Sequence, residues 1–524
     1  MNITLNAQAI RGRGVRVVFS AVEHRDAPLI RAFEGAAVPV VETLHEQTAA
    51  FAAEGWAKLT REPGVVMLIG ALALPRAITG LANAFANESP VVVVHDPVTV
   101  PGRDDAGGQH LTMVSSISRG TWTTTTAELP NAISRAWDVA NTPPRGPVFI
   151  GIRADAPTRV TEVDTARRKE SDGETLREVA SLLAGAVRPV LVAGGGVYWS
   201  GAEAALKRFA EGLGVPVATN GMGRGTMPAD HPLYIARARS LALREADLVL
   251  VVGTPLDFRL GYGRFERAAV VHICEDDSQL AGHVQLAGAL VGDHGRLLDG
   301  LVGSIGHALG TEDWIKRLRD EEASRRAAEE VELESDASPI RPPRLYGELR
   351  KRLNRDAVVI GDGGDFVSYA GRFIDTYTPG CFLDPGPFGC LGIGMGYAMA
   401  ARLAHPARQI VALFGDGAAG LSLMELSTLV RHGLPIVAII GNNSGWGLEK
   451  HEMKGMFGYD VVADLRPGTR YDEVAEALGA KGETVTEPEE IGAALDRAFD
   501  AGGPVVVNVM LDPTDAYPRS TILA

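Results

Sequence analysis

The chain has 524 residues, 46% of them hydrophobic and 22% charged, a length that exceeds one core and points to about three domains. A formal net charge of −14 argues against nucleic acid as a partner, and three scattered cysteines (Cys274, Cys381, Cys390) are too few for a disulfide framework or a cysteine zinc site. The opening MNITLNAQAIRGRGVRVVFS lacks the apolar core of a signal peptide, and no apolar run approaches about 18 residues, so the reading is a cytoplasmic protein with no membrane association.

Short β-branched runs alternate with Ala- and Leu-rich helical stretches along nearly the whole chain. A strand ending near Leu44 leads into HEQTAAFAAEGWAKLT, which reads as a helix with Glu46 in its first turn, where a carboxylate also favours the helix dipole. VVMLIG (65–70) and PVVVVH (90–95) are the next strands, and AGGQH then sets Gln109 and His110 in a polar loop, where a histidine is either an acid–base group or simply solvated. Residues 157–177 are polar and carry no strand signal. PVLVAGG (189–195) and ADLVLVVG (246–253) are strands of a second block, whose GGGVYWSG turn matches the dinucleotide fingerprint GxGxxG poorly. Residues 318–343 are dense in charge and finish in prolines. The two polar stretches divide the chain into 1–158, 175–318 and 343–524, each with at least two strand–helix repeats. Continuous apolar strands separated by helices describe parallel sheets covered on both faces, so the predicted fold class is α/β: three doubly wound parallel-sheet domains.

The third block holds QIVALFGDGAAGLSLMELSTLVRHGLPIVAIIGNNSGWG (409–447), read as strand 409–414, the turn Gly415-Asp416-Gly417, a helix at about 421–432, and strand 436–441. A strand–helix–strand unit of this length needs a parallel, right-handed crossover, so Asp416 and Asn443 leave the same sheet at its carboxyl edge, where open α/β sheets bind ligands. One carboxylate, one amide oxygen and a turn carbonyl make a hard-oxygen site suited to Mg²⁺, and glycines beside Asp416 let a diphosphate approach the backbone.

Gly-Asp-Gly followed by Asn-Asn, with 27 positions from Asp416 to Asn443, resembles the thiamine diphosphate signature of the decarboxylase and acetolactate synthase superfamily. The resemblance spans almost the whole chain as pyrimidine-binding, central Rossmann-like and diphosphate-binding domains. It implies thiamine diphosphate held through Mg²⁺ by Asp416, Asn443 and the Gly445 carbonyl, with Gly415, Gly417, Ala418 and Trp446 around the cofactor. LDPGPFGCLGIGMGYAMAARLA (383–404) resembles the glycine-rich approach to this motif, and 25 residues before Asp416 stands Leu391, in the place of the apolar wedge that keeps the cofactor bent. Glu46 falls where the family has the catalytic glutamate beside the pyrimidine ring, and Gln109 where it has a glutamine facing the site; His110 follows, where many relatives carry an acid. In some relatives the central domain carries FAD or ADP, which the poor fingerprint match does not favour here. The implied activity is decarboxylase or carboligase (lyase or transferase) chemistry of acetolactate synthase type on a 2-oxo acid. The alternative is oxalyl-CoA decarboxylase or 2-hydroxyacyl-CoA lyase chemistry; behind these stand a non-catalytic homologue and a nucleotide-dependent oxidoreductase. A homodimer or homotetramer is implied, with the active site at the subunit interface. Departures from the family lie in loops: 15–29 (VRVVFSAVEHRDAPL) has no Gly-Pro-Gly turn, ALALP (71–75) no Pro-Gly, the paired histidines of pyruvate decarboxylases are not evident, and the closing DPTDAYPRSTILA carries only Arg519.

Overall fold

A computed structural model describes residues 7–21, 27–96, 110, 112–152, 160–162 and 170–518. Three sheets form, in chain order. The first contains β1 (Val18–Ala21), β2 (Val40–Thr43), β3 (Gly64–Ile69), β4 (Val91–Asp96), β5 (Gly120–Thr124), β6 (Pro147–Ile152) and β7 (Val160–Glu162), arranged β2-β1-β3-β4-β6-β5-β7. The second contains β8 (Pro189–Ala193), β9 (Val217–Thr219), β10 (Leu248–Val252), β11 (Ala269–Cys274) and β12 (Gly288–Val291), arranged β12-β11-β10-β8-β9. The third contains β13 (Val358–Asp362), β14 (Phe382–Leu383), β15 (Ile410–Gly415), β16 (Val437–Asn442), β17 (Lys481–Val485) and β18 (Val505–Met510), arranged β14-β13-β15-β16-β18-β17. Every pairing is parallel except β5 with β7. The central strands are buried along their length because Val, Ile and Leu face helices on both sides.

Three local expectations are corrected. The polar stretch 157–177 does hold a strand, β7, three residues at the sheet edge and too short for an apolar pattern. The charge-dense stretch is largely helix, Glu312–Leu333, anchored by the buried Trp314, Leu318 and Leu333. Its carboxylates bind cations of both neighbouring domains: Glu322 and Glu329 pair with Arg237, and Glu329 and Glu332 with Arg372. The helix after β15 starts at Asp416 itself and is interrupted by a 3₁₀ turn, Leu423–Glu425, before Leu426–Arg431. The apolar period reports only the part that packs on the sheet, and the small residues 417–420 give no such signal.

The first and third sheets share one core through the helices Glu46–Thr60 and Gly394–Ala404. Glycines set the distance: a Cβ on Gly55 would stand 3.0 Å from Tyr397 Cα, and one on Gly396 2.9 Å from Phe51 Cβ. Inside the contact, Lys58 is 1% exposed, with Glu54 at 3.2 Å and the Tyr397 hydroxyl at 2.9 Å; Asn83 and Asn87 each donate to Glu54 at 2.8 Å. A buried charge pair needs this full set of partners to be tolerated, and it fixes the segment bearing Glu46 against the one bearing Leu391. In the second sheet the glycine turn is packed by the protein itself: a Cβ on Gly194 would lie 2.2 Å from Thr254 Cβ, and one on Gly196 2.7 Å from Gly253 Cα.

Candidate active site

β15 and β16 are neighbours in register, Gly415 opposite Gly441, so the residues that follow them emerge side by side at the carboxyl edge. Asp416 is 2% exposed; its Oδ1 accepts from its neighbour Gly417 N at 3.0 Å and its Oδ2 from Gly445 N at 3.2 Å. Burial pushes its carboxyl up to about 6, opposed by the N–H bonds from Gly417, Gly445 and Ser444. Ser444 has φ +57°, which turns the chain back after Asn443 and brings Gly445 under Asp416. The Asn443 amide then stands 3.2 Å from Asp416 Oδ1 and 2.9 Å from Gly445 O. With its oxygen inward, three oxygens face one another with no proton between them, an arrangement relieved either by turning the amide over or by a cation. Neighbouring oxygens around Mg²⁺, at a bond length of about 2.1 Å in an octahedron, stand about 3.0 Å apart. The donor set therefore fits Mg²⁺. Among the described residues no cluster of three His, Cys, Asp or Glu offers a metal site of another kind.

The three groups open into a cavity of about 1110 Å³ that Gly415, Asp416, Gly417, Ala418, Asn443, Gly445, Trp446 and Leu391 all line. Gly417 is obligatory in this arrangement, since a Cβ there would lie 2.6 Å from the Trp446 ring. Leu391 owes its place to a residue that sequence reasoning missed. Asp362, fully buried at the end of β13, accepts Gly392 N at 3.0 Å through Oδ1 and Gly394 N at 2.8 Å through Oδ2, clamping the chain just beyond Leu391. Burial pushes the Asp362 carboxyl up to about 7, against the pull of those two N–H groups. A folded-state value above the ordinary 3.8 means that this group stabilises the fold below about pH 4 and that the contribution is lost as the pH rises towards 7. The melting temperature of D362N relative to the parent should therefore rise between pH 5 and pH 8; a flat difference would contradict it.

The other predicted acid, Glu46, begins its helix after β2 and is 9% exposed. His45 caps that helix by accepting Gln47 N at 3.1 Å on Nδ1. Two groups absent from the sequence expectations hold the turn. Glu425 accepts the N–H groups of Leu44 and His45, both at 3.0 Å, and Arg76 Nη1 lies 3.4 Å from Glu46 Oε1. Glu46 does not line the cavity that contains Asp416. Leu44, Leu72, Phe388, Leu421 and Met424, each more than half exposed, lie in the segments around both acids. Gln109 lies outside the described residues; His110 is buried at 7% exposure. No helix among the described residues is long and apolar enough to cross a membrane.

The cavity continues past Ser368 to Arg224 and Arg239 near the second sheet. Arg224 donates to Gly371 O at 2.9 Å and Arg239 to Arg259 O at 3.1 Å, and neither has a carboxylate within 4.0 Å among the described residues. Burial, followed by the charge of Arg224, brings Arg239 down to about 10.

Known proteins resemble the chain in three successive domains. Residues 4–114 match the N-terminal TPP binding domain of thiamine pyrophosphate enzymes, 176–301 the central domain, and 362–509 the C-terminal TPP binding domain. The acetolactate synthase large subunit IlvG of Mycobacterium tuberculosis is 44% identical over 99% of this chain and 97% of its own length. The 2-hydroxyacyl-CoA lyase 2 proteins of Caenorhabditis elegans and Homo sapiens are both 29% identical, over 98% and 97% of this chain and 89% and 90% of their own lengths. Three matched domains in the order of the three sheets, and a relative this similar from end to end, place the chain in the thiamine pyrophosphate enzyme family, as a thiamine diphosphate-dependent enzyme close to acetolactate synthase.

Proposed function

We propose that the protein is a Mg²⁺- and thiamine diphosphate-dependent carboligase or decarboxylase of acetolactate synthase type that acts on a 2-oxo acid. The observation that carries the metal assignment is the approach of Asp416 Oδ1, the Asn443 amide and Gly445 O at the spacing of an octahedral edge. In this reading those three would hold the cation, the Gly415–Ala418 turn would take the diphosphate, and Leu391 and Trp446 would contact the rest of the cofactor. When bound, thiamine diphosphate supplies a nucleophilic carbon for the ketone carbonyl and a sink for the electron pair left by carbon dioxide. Glu46 would share a proton with the pyrimidine ring nitrogen, a role that suits a carboxyl largely removed from water. Gln109 would face the substrate beside it.

Because Glu46 is absent from the cavity of its own chain, the reading requires a second copy to bring it there. The exposed apolar residues around Glu46 and Asp416 are the surface on which that copy would seat. A homodimer is the smallest assembly that meets this demand, and a homotetramer repeats it.

A second reading is favoured by one observation. Arg224 and Arg239, which line the same cavity and have no carboxylate within 4.0 Å among the described residues, suit an anionic extension of the substrate such as that of an acyl-CoA. Incubation of the holoenzyme with pyruvate, other 2-oxo acids, and 2-hydroxyacyl-CoA compounds, with products identified by mass, separates the two. Carbon dioxide release with formation of an acetolactate-type acid supports the first. Cleavage of the thioesters with no turnover of any 2-oxo acid overturns it in favour of the second.

A further inference from the structure

One buried contact on the first sheet has no part in the roles assigned so far. His95, on β4, is 1% exposed, and its Nδ1 lies 2.7 Å from the carbonyl oxygen of Leu68 on the adjacent β3. Its Nε2 lies 3.0 Å from Nδ1 of His110, with the rings 5.1 Å apart and tilted by 55°. Phe149 packs against the His95 ring at 5.4 Å.

The hydrogen bonds run in one direction only. A carbonyl accepts and never donates, so His95 carries its proton on Nδ1. Burial, opposed by the bond to Leu68 and joined by the charge of His110, brings His95 down to about 4, so the ring is neutral near pH 7 and its Nε2 is a bare lone pair. His110 must then donate from Nδ1, which leaves Nε2, with no hydrogen-bond partner among the described residues, as the end of the relay: a lone pair in the neutral ring, an N–H in the charged one. Two apolar side chains would fill this space without the desolvation cost of two imidazoles. The position is also close to the chemistry. β3 and β4 end at the same carboxyl edge as β2, after which Glu46 emerges, and the turn Ser115–Ile117 that follows His110 packs on the helix Ala73–Ala86, which carries Arg76, the partner of Glu46.

We propose that His95 is a positioning residue that locks His110 in its Nδ1–H tautomer, so that His110 presents Nε2 to the substrate as the site's proton-transfer group. The inference rests on the reading of Glu46 and its sheet edge as half of the thiamine diphosphate site. In the step assigned to it, an O–H bond of a substrate hydroxyl breaks as the N–H bond on His110 Nε2 forms, and the same proton returns to an oxygen that develops charge. The Nδ1–H bond to His95 persists throughout. The function this adds is acid–base control of alkoxide and hydroxyl groups, which a carboxylate in the same place performs with the opposite charge bias.

The test compares two amides at position 95 in the holoenzyme, with pyruvate as the probe. In H95Q the amide oxygen reaches the place of Nε2 and still accepts from His110; in H95N the short amide keeps the donor to Leu68 and loses His110. Expected are a fall in kcat of about tenfold or more for H95N with KM within about twofold, retention of most activity by H95Q, and a loss in H110Q that H95N does not deepen in the double variant. In ¹⁵N spectra of histidine-labelled holoenzyme, His110 Nε2 reads as unprotonated in the parent and H95Q, and as a tautomer mixture in H95N. Unchanged kcat in H95N or H110Q overturns the proposal, as does an unchanged His110 tautomer in H95N. E46Q run in parallel separates the layers: if it too is fully active, the cofactor reading fails; if it alone is inactive, only the relay fails.

Discussion

Replacing Glu46 with Gln lowers kcat by about 10²–10⁴-fold, while thiamine diphosphate and Mg²⁺ still saturate the protein. The amide is isosteric and stays within reach of Arg76, so the helix start, its His45 cap and the Glu425 clamp are undisturbed. What it removes is the ability to share a proton with a ring nitrogen. The loss should therefore fall on kcat and on exchange of the cofactor's reactive C–H proton, with little change in cofactor affinity. Equal loss of affinity and turnover would mean that Glu46 is a binding contact only, and unchanged exchange would remove it from the mechanism.

Asp416→Asn has the opposite signature. It replaces one anionic oxygen of the proposed metal set by an amide whose N–H₂ faces the cation in half of its orientations, and it leaves the Gly417 and Gly445 N–H groups a poorer acceptor. A diphosphate anchored through Mg²⁺ then loses its principal charge partner. The expected result is a rise of about 100-fold or more in the thiamine diphosphate concentration needed for activity, with Mn²⁺ binding lost in parallel. Activity restored by excess cofactor and metal would agree with this, whereas normal Mn²⁺ affinity in the variant would move the metal elsewhere.

The parts of this architecture that were legible in the sequence are those carried by local pattern. Runs such as VVMLIG and IVALFG have only one use in a chain that alternates them with helices, and a strand–helix–strand unit must return Asn443 to the edge that Asp416 leaves. What was not legible depends on contacts between distant segments. Glu425 falls within the helix predicted at about 421–432, and nothing local shows that its carboxylate is buried against N–H groups 381 residues away at Leu44. Asp362 stands before two glycines, and its clamp on Gly392 and Gly394 is fixed only when the third sheet is assembled. His95 closes the apolar run PVVVVH, and its meaning comes from Leu68 and His110 together. The helix Glu312–Leu333 escaped because its stability lies in ion pairs to other domains and in only a few apolar anchors.

The central claim is that Glu46 and Asp416 are two halves of one thiamine diphosphate site contributed by different copies of the chain. It is tested most directly by co-expressing E46Q and D416N with different affinity tags and assaying the purified mixed dimer. At cofactor and metal concentrations that just saturate the parent, each variant alone retains at most a few per cent of its activity at every site. If the halves come from different copies, the mixed dimer has one site with both native acids and one with both replaced, so it shows about half the activity of the parent dimer. If both acids of a site come from the same copy, every site in the mixed dimer carries one replacement, and a mixed dimer no more active than the two single variants would contradict the account.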